Sequence, residues 1–563
     1  MSIKERIVCH TLSFQVMLRC LLCASILGVP WSVSHVAAQG LPVIRNVTEA
    51  EYGGHIRNYD IEIGPDGTVY VANFEGLLYY DRSQWHMLHT PDISRITAVW
   101  RDSKDAIWVE GHHFLARIER KDNGELFMRQ IGQDGLKVDT TAVLEEKRRK
   151  RRDTDLTDDI IQVEKVDGSL QVMVKNGQGL LITDNNTQER YRITEAEGLC
   201  SDQVSRVAYD GHGVLWGATQ HGIFAIEIPS VYSFLLPKDG LTGEVHTIMA
   251  FGGKMYVGTT SGLYTVASRQ CRRIPDINNT CWALCQHKEA LLAATSSGIF
   301  KILPNGVTSR LTTSATTAIL ADGNEVYAGE PDGVWCYQQG GSRRKVNDLQ
   351  LVTDIRKETH GRFWFRNVHG ESIGTDPGKE ETPASLLPGE LLHPVSYINA
   401  TAQYRHGDEV WIGGDEVIAI VHEGHKELAK LSDCRTVRFR SVVLRGDSVL
   451  WGGYGLMPAS FHLKSNESQL RFYYALDYAP LTGKTRYRYM LNNKSVVSAD
   501  AQWSEWTEKS FVEFLNMSYG SFTLSVQAQL PNGQLSEVAS VDFRIDYPLF
   551  MRWYMGIVYL LVV

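Results

Sequence analysis

Residues 210–226 carry the stretch DGHGVLWGATQHGIFAI, in which a glycine-rich turn precedes an apolar run ending at Trp216. A second turn then reaches Gly222 and opens another apolar run. Asp-Gly pairs supply the positive φ angles of tight hairpin turns, and short apolar runs between such turns are typical of half-buried strands. The stretch predicts a β-hairpin, and residues 322–335, DGNEVYAGEPDGVW, repeat nearly the same arrangement.

The hairpin pattern recurs in ten copies between residues 60 and 455, most of them 35 to 47 residues apart. A unit of this length accommodates a sheet of three or four strands, which buries both faces only by stacking against neighbours. Such a period with recurrent aromatic residues is typical of a β-propeller, in one or two rings. The copies are centred on Tyr70, Trp108, Gln171, Trp216, Tyr256, Leu292, Tyr327, Trp364, Trp411 and Trp451.

Composition agrees with an all-β fold and excludes some functions. The 563 residues suffice for two to four domains, and 49 glycines against 17 prolines suit many short strands joined by tight turns. A net charge of -8 gives no general reason to expect a nucleic-acid surface. The basic run KRRKRR at 147–152 lies in the one long gap between copies, and we expect it to form a solvated loop.

Both ends of the chain carry targeting features. Residues 1–38 combine basic residues, an apolar stretch and small residues near Ala38, which predicts a secretory signal peptide. Residues 550–563 contain an uncharged run from Trp553 onward and predict the start of a transmembrane helix, because a full span needs about 20 such residues. The expected boundaries are therefore a signal peptide at 1–38, propeller repeats at 40–462 and a membrane segment at 550–563.

Between the repeats and the membrane segment, residues 465–546 follow a different pattern. Alternating strands with an Asn-Gly turn at 532–533 predict a small β-sandwich. Its aromatic residues are expected to fill a core and to have no chemical role. The aromatic residues expected in this core are Tyr487, Tyr489, Trp503, Phe511 and Phe522.

The repeat residues resemble those of a known family. Residues 40–546 resemble the periplasmic sensor region of bacterial two-component and hybrid sensor proteins, which carry regulatory-propeller repeats. In that family an immunoglobulin-like domain with three characteristic tyrosines follows the propellers, and residues 465–546 are similar to it. The matching repeat positions are Asp210, Gly213, Leu215, Trp216, Gly217, Thr219, Gly222 and Ile223.

The resemblance implies an extracytoplasmic ligand-sensing region, exported by the signal peptide and anchored in the bacterial inner membrane. It implies a periplasmic ligand such as an oligosaccharide, a homodimer, no bound nucleic acid and no cofactor. The cytoplasmic output, a histidine kinase or a helix-turn-helix domain, is not expected within these residues. No ligand-binding, catalytic or metal-binding residue is assigned by the resemblance.

Two other functions stay open, a secreted propeller enzyme that acts on polysaccharides and a glycan-binding adhesion protein. No catalytic constellation is identified, although paired carboxylates such as Asp158 and Asp159 occur. Cys281 and Cys285 form a C-x3-C pair without further ligands at matching spacing, so buried thiols or one disulfide are expected in place of a metal site.

Overall fold

The computed structural model describes residues 42–561 and is built almost entirely of β-strands. The predicted signal peptide at 1–38 lies outside the described residues, as does most of the predicted membrane segment at 550–563. Within the described part of the chain, no helix has the length and apolar character needed to cross a bilayer. The internal segments not described are 132–138, 153–158, 167–169, 186–189, 229, 268–269, 339–340, 358–361, 375–394, 396–397, 424–435, 446–447, 478–480, 482, 495–501, 553–554 and 556–559.

The first propeller contains four sheets of four strands each, numbered sheets 1 to 4 in chain order. Sheets 1, 2 and 3 are β2–β5, β6–β9 and β10–β13, and sheet 4 has the order β14-β15-β16-β1. The elements are β1 (Ile44–Val47), α1 (Glu49–Tyr52), β2 (Asn58–Ile63), β3 (Val69–Asn73), β4 (Gly76–Tyr80), β5 (Trp85–Leu88), β6 (Ile96–Arg101), β7 (Ile107–Gly111), β8 (Phe114–Arg120), β9 (Leu126–Gln130), α2 (Thr140–Arg152), β10 (Ile160–Lys165), β11 (Leu170–Lys175), β12 (Leu180–Asp184), β13 (Arg190–Ile193), β14 (Val204–Tyr209), β15 (Val214–Thr219) and β16 (Gly222–Glu227).

The described residues of the second propeller form five sheets, numbered sheets 5 to 9. Sheets 5, 6 and 7 are β18–β21, β22–β25 and β26–β29, sheet 8 is β30–β32, and sheet 9 has the order β33-β34-β35-β17. The strands are β17 (Tyr232–Leu235), β18 (Val245–Phe251), β19 (Lys254–Thr259), β20 (Gly262–Ala267), β21 (Gln270–Arg273), β22 (Cys281–His287), β23 (Ala290–Thr295), β24 (Gly298–Ile302), β25 (Thr308–Arg310), β26 (Ala318–Asp322), β27 (Glu325–Glu330), β28 (Gly333–Tyr337), β29 (Arg343–Asn347), β30 (Val352–Lys357), β31 (Phe363–Asn367), β32 (Ser372–Ile373), β33 (Ala402–His406), β34 (Glu409–Gly413) and β35 (Ile418–His422).

Each propeller completes its last sheet with a strand from its own beginning. β1 pairs antiparallel with β16 in sheet 4, with Ile44 opposite Ile226 and Val47 opposite Ile223. β17 pairs in the same way with β35 in sheet 9. These pairings tie the first and last parts of each propeller together and cover an edge that would otherwise be exposed.

A β-sandwich of two four-stranded sheets follows. Its orders are β37-β36-β39-β41 and β38-β43-β42-β40, and both sheets contribute to one core. Of the aromatic residues predicted to fill the core, Tyr487 and Phe522 are almost fully buried in it, and Tyr489 packs against it partly buried. The prediction was wrong for Trp503 and Phe511, which are half-buried and lie outside this core. The strands are β36 (Val437–Leu444), β37 (Ser448–Trp451), β38 (Ser460–Leu463), β39 (Leu470–Leu476), β40 (Arg486–Asn493), β41 (Phe511–Phe514), β42 (Gly520–Gln529) and β43 (Ala539–Ile545).

The structure differs from the sequence predictions at two places. The tenth hairpin copy, around Trp451, lies in β37 of the sandwich and not in a propeller, so the sandwich begins at Val437 and not at 465. The basic run at 147–152 forms the end of α2 and not a loop. There Lys147 lies over the Trp100 ring at 5.3 Å and pairs with Glu110, so the stem of a charged side chain covers apolar surface.

The turn between the second and third strands explains the repeated sequence. In sheets 4, 5 and 6 the second strand ends in a fully buried threonine, which is Thr219, Thr259 or Thr295. Each hydroxyl accepts a hydrogen bond from the amide two residues on and donates to the carbonyl of the glycine three residues on. One side chain thus satisfies two buried backbone groups, and this stabilises the turn.

The glycine of this turn is required by both conformation and space. Gly298 has a φ of +123°, and a Cβ there would overlap the Thr312 carbonyl of the next strand connection. Gly306, in the following turn of the same sheet, has a φ of +86°, but a Cβ at this position would meet no atom within 4 Å.

Replacing Gly298 by alanine should destabilise the second propeller by more than replacing Gly306. Both substitutions force alanine into the left-handed region at a cost of about 1 kcal/mol, whereas Gly298→Ala adds a backbone overlap that raises the loss to roughly 3 kcal/mol. Urea unfolding followed by circular dichroism measures the difference. Equal losses for the two variants would show that crowding by the next strand connection is unimportant.

Candidate functional site

A cleft of about 750 Å³ lies where the first propeller meets the sandwich. The propeller side consists of the first hairpin turns of sheets 1 and 4 together with the ends of their inner strands. The sandwich side consists of Arg438 and Asp477. The cleft is lined by residues 62–67, Arg101, Glu164, residues 208–212, Arg438 and Asp477.

A second cavity of about 210 Å³ lies deeper in the first propeller. The inner strands of all four sheets, β2, β6, β10 and β14, contribute to its wall, and α2 adds Lys147. Glu62, Glu164 and Ala208 line both cavities. The two cavities therefore form one axial funnel that opens toward the sandwich.

Side chains around the funnel link neighbouring inner strands. Asp60 on β2 accepts a hydrogen bond from the Val99 amide of β6 at 3.0 Å. Gln162 on β10 accepts from the Val207 amide of β14 at 2.9 Å and donates to its carbonyl at 2.8 Å. Because inner strands of different sheets share no ladder, these side chains satisfy backbone groups that face the axis and fix the spacing of the sheets.

Glu164 is an acid of the funnel wall with a shifted pKa. Burial raises the pKa of its carboxyl group, and the nearby Glu62 carboxylate raises it further, while the hydrogen bond from Gln162 lowers it. The funnel wall thus holds a carboxyl group whose charge is disfavoured next to a second carboxylate.

The rim of the funnel contains a buried ion pair between sheets 1 and 4. Arg82 lies 3.1 Å from Asp210, with side chains 4% and 0% exposed, and its Nε donates to the Gly67 carbonyl at 2.9 Å. Asp210 also accepts from the amides of His212 and Val214, and so shapes its own turn. The aspartate of the repeat therefore forms the turn and joins two sheets.

The sandwich is held to the same rim by several contacts. The Tyr454 hydroxyl lies 3.3 Å from the Thr68 hydroxyl of sheet 1. The Gly452 amide donates to the Asn123 carbonyl of sheet 2 at 2.8 Å. Tyr454 packs edge-on against Tyr79 of sheet 1, with ring centroids 6.1 Å apart. A molecule in the cleft therefore contacts two units that are already joined around it.

The sequence predictions named no binding residue, and the funnel was missed. A signal for it exists, because Asp60 and Glu62 on β2 and Gln162 and Glu164 on β10 occupy alternate positions, which place both polar side chains of each strand on one face. His212, interpreted as a turn residue, does lie in the turn that borders the cleft.

Other candidate groups do not form a site in the described residues. Asp158, one of the paired carboxylates, lies outside them. No cluster of three or more potential metal ligands occurs in the described part of the chain. Among the described cysteines none forms a disulfide, and burial raises the pKa of the Cys281 thiol to about 12. The thiols are therefore poor nucleophiles at neutral pH.

Comparison with known proteins identifies the fold. No family model and no curated protein matches the sequence. The chain is similar in structure to the extracellular domain assigned to the hybrid two-component system BT3049 of B. thetaiotaomicron, with a TM-score of 0.62 and 10% sequence identity over 90% of this chain and 100% of that one. The extracellular domain of the one-component system BT4673 from the same organism matches with a TM-score of 0.29 and 13% identity over 88% and 81% of the two chains. The first similarity shows a shared fold, and the second adds nothing to that conclusion.

Substituting Glu164 by glutamine should stabilise the chain at neutral pH. The pKa of Glu164 is higher in the folded state than in the unfolded state. At a pH between these two pKa values the folded state binds more protons than the unfolded state. The free energy of unfolding of the wild type therefore falls as the pH rises through this range. Glutamine removes this loss, and the advantage should vanish below the ordinary glutamate pKa. Thermal melts from pH 4 to pH 8 test this, with the exposed Glu505→Gln as the control. A constant difference across the range would contradict the assignment.

Removing Arg82 should destabilise the rim strongly. Arg82→Ala leaves the Asp210 carboxylate buried without its partner, which costs about 3 kcal/mol or more. Lys121→Ala, which breaks an exposed pair with Glu125, should cost less than about 1 kcal/mol. Urea unfolding of both variants measures the contrast, and similar losses would show that the rim pair is not structurally important.

Proposed function

We propose that the chain is the extracytoplasmic ligand-sensing part of a membrane-bound signal-transduction regulator of the two-component sensor type. The observation that carries this proposal is the cleft bounded jointly by the first propeller and the sandwich. A ligand in that cleft contacts both the propeller and the sandwich. Its affinity therefore differs between an arrangement in which the two units are close together and one in which they have separated. Differential affinity of this kind is what a ligand needs to shift a signalling equilibrium.

In this proposal the sandwich is an immunoglobulin-like domain of the three-tyrosine type. Its two sheets share a core that includes Tyr474 and Tyr487, whose ring centroids lie 5.3 Å apart. Arg488 lies between Trp503 and Trp506, at 4.6 and 4.7 Å from the two ring centroids. Both features suit a rigid unit that transmits a displacement without deforming.

The proposal also covers location and partners. The chain is exported, faces the periplasm and is anchored in the inner membrane by its last apolar residues. Two copies form the signalling unit, and the ligand is an oligosaccharide or a similar periplasmic molecule. The chain acts as the sensing part and catalyses no reaction itself.

Hydrogen exchange on the full-length chain in detergent tests the sensing role. A mixture of neutral oligosaccharides should slow amide exchange on both walls of the cleft, at residues 64–67 and 208–212 of the propeller and at 438–440 of the sandwich. Protection on the propeller wall alone, or on neither wall, would contradict a ligand shared by the two units.

A matched pair of histidine variants sharpens this experiment. His212→Trp places a large ring at the cleft and should abolish the protection. His89→Trp places the same ring on an exposed connection at the opposite face of the propeller and should leave the protection intact. Loss of protection in both variants, or in neither, would exclude the cleft as the binding site.

A further inference from the structure

Sheet 7 of the second propeller lacks the threonine turn of sheets 5 and 6, as do sheets 8 and 9, whose second strands end in Asn367 and Gly413. In sheet 7 the last residue of the second strand is Glu330, which faces Gly333 in the register that Thr295 and Gly298 occupy in sheet 6. Its side chain is 2% exposed. A carboxylate has therefore replaced a small hydroxyl at a buried position of the repeat, where charged groups are rare unless they are paired.

Glu330 is bonded away from its own turn. Its carboxylate accepts a hydrogen bond from the Tyr337 hydroxyl and lies 3.6 Å from the Arg343 guanidinium. Burial, together with this carboxylate, raises the pKa of Tyr337 to about 12, so the hydroxyl remains a donor at neutral pH. Since threonine forms the turn in three other sheets, turn formation does not explain the glutamate.

A cavity of about 590 Å³ opens at this position. It lies between the β25–β26 connection and the β27–β28 turn. Besides Glu330, Tyr337 and Arg343, its wall contains the hydroxyl residues 312–314 and the apolar residues Leu311 and Pro331. Leu311 is 54% exposed although it is large and apolar. A buried carboxylate thus lies at a cavity, at a position where sheets 5 and 6 have a small hydroxyl, and local exceptions of this kind are expected at functional positions.

Charges in and around the cavity balance. Glu330 and Asp332 are acidic, whereas Arg343 is basic, and Lys345 lies 3.9 Å from Asp332. Asp332 also accepts a hydrogen bond from the Trp335 indole at 2.9 Å, and Arg343 lies 4.3 Å from the centre of that ring. A strongly charged ligand gains little from such a surface, because each sign meets both attraction and repulsion.

The hydrogen-bonding groups indicate a ligand rich in hydroxyls. A carboxylate only accepts and a guanidinium only donates, whereas a hydroxyl does both. Two adjacent hydroxyls of a sugar ring can donate to Glu330 and accept from Arg343 while the ring rests on Leu311 and Pro331. We propose that this cavity, the Glu330 cavity, is a binding subsite for a neutral saccharide. It is separate from the cleft of the first propeller and gives the sensor proposed above a second contact with glycan.

Glu330→Thr is the decisive variant, because it restores the turn of the neighbouring sheets. It should leave the melting temperature unchanged or raise it, and should weaken binding of neutral oligosaccharides on a glycan array about tenfold or more, since the partner of a buried hydrogen bond is lost. Glu325→Thr, at the other end of the same strand, should bind like the wild type. Equal binding by wild type and Glu330→Thr would overturn the subsite.

Arg343→Lys provides a second test that does not depend on the turn. The lysine keeps a cation beside the buried Glu330, so the variant should fold normally, and it should still lose binding about tenfold because the planar guanidinium donors are lost. A wild-type chain that binds no neutral glycan on the array would overturn the saccharide assignment. The sensor proposal is tested separately, by slowed amide exchange on the cleft walls of the first propeller and the sandwich. The two proposals can therefore fail independently.

Discussion

The first propeller depends on the pairing of β1 with β16. This pairing completes sheet 4, the last sheet of the ring, which packs against sheet 1, the first. Sheet 4 packs against sheet 1 through a core that includes Val47 of β1, and Ile44 of the same strand packs against the core shared with sheet 3. One four-residue strand therefore touches both neighbouring cores. Without it, β16 would be an exposed apolar edge, and the end of the ring would be joined to its beginning by side-chain contacts such as the Arg82–Asp210 pair and not by a strand pairing.

Closure at this edge has consequences along the axis. The inner strands do not share a ladder, and their spacing is set by side chains such as Asp60 and Gln162 that bond to neighbouring backbones. The buried Arg82–Asp210 pair fixes sheets 1 and 4 at the rim. These contacts hold the sheets together where the funnel meets the sandwich, so the proposed ligand at its mouth would act on the contact between the two units more than on the ring itself.

Local features of the sequence were sufficient to locate the propeller sheets. Nine of the ten predicted copies coincide with the second strand of a propeller sheet, because the turn chemistry that marks each copy is local. The division into four and five sheets was not predictable, since it depends on which edges β1 and β17 cover. The copy at Trp451 was misplaced because a hairpin of the sandwich uses the same residue pattern. The funnel is assembled from residues far apart in the chain, so only its alternating polar residues gave a sequence signal. The Glu330 cavity is formed by residues 311–343, and its sequence signal is the glutamate that stands where sheets 5 and 6 have threonine.

Deleting residues 42–48, which contain β1, tests the closure most directly. Urea unfolding of the truncated chain, followed by tryptophan fluorescence, should show the first propeller unfolding at markedly lower urea than in the full chain. Addition of a synthetic peptide with the sequence of residues 42–53 should restore the original midpoint. An unchanged midpoint in the truncated chain would contradict the account, because the ring would then be closed without its first strand.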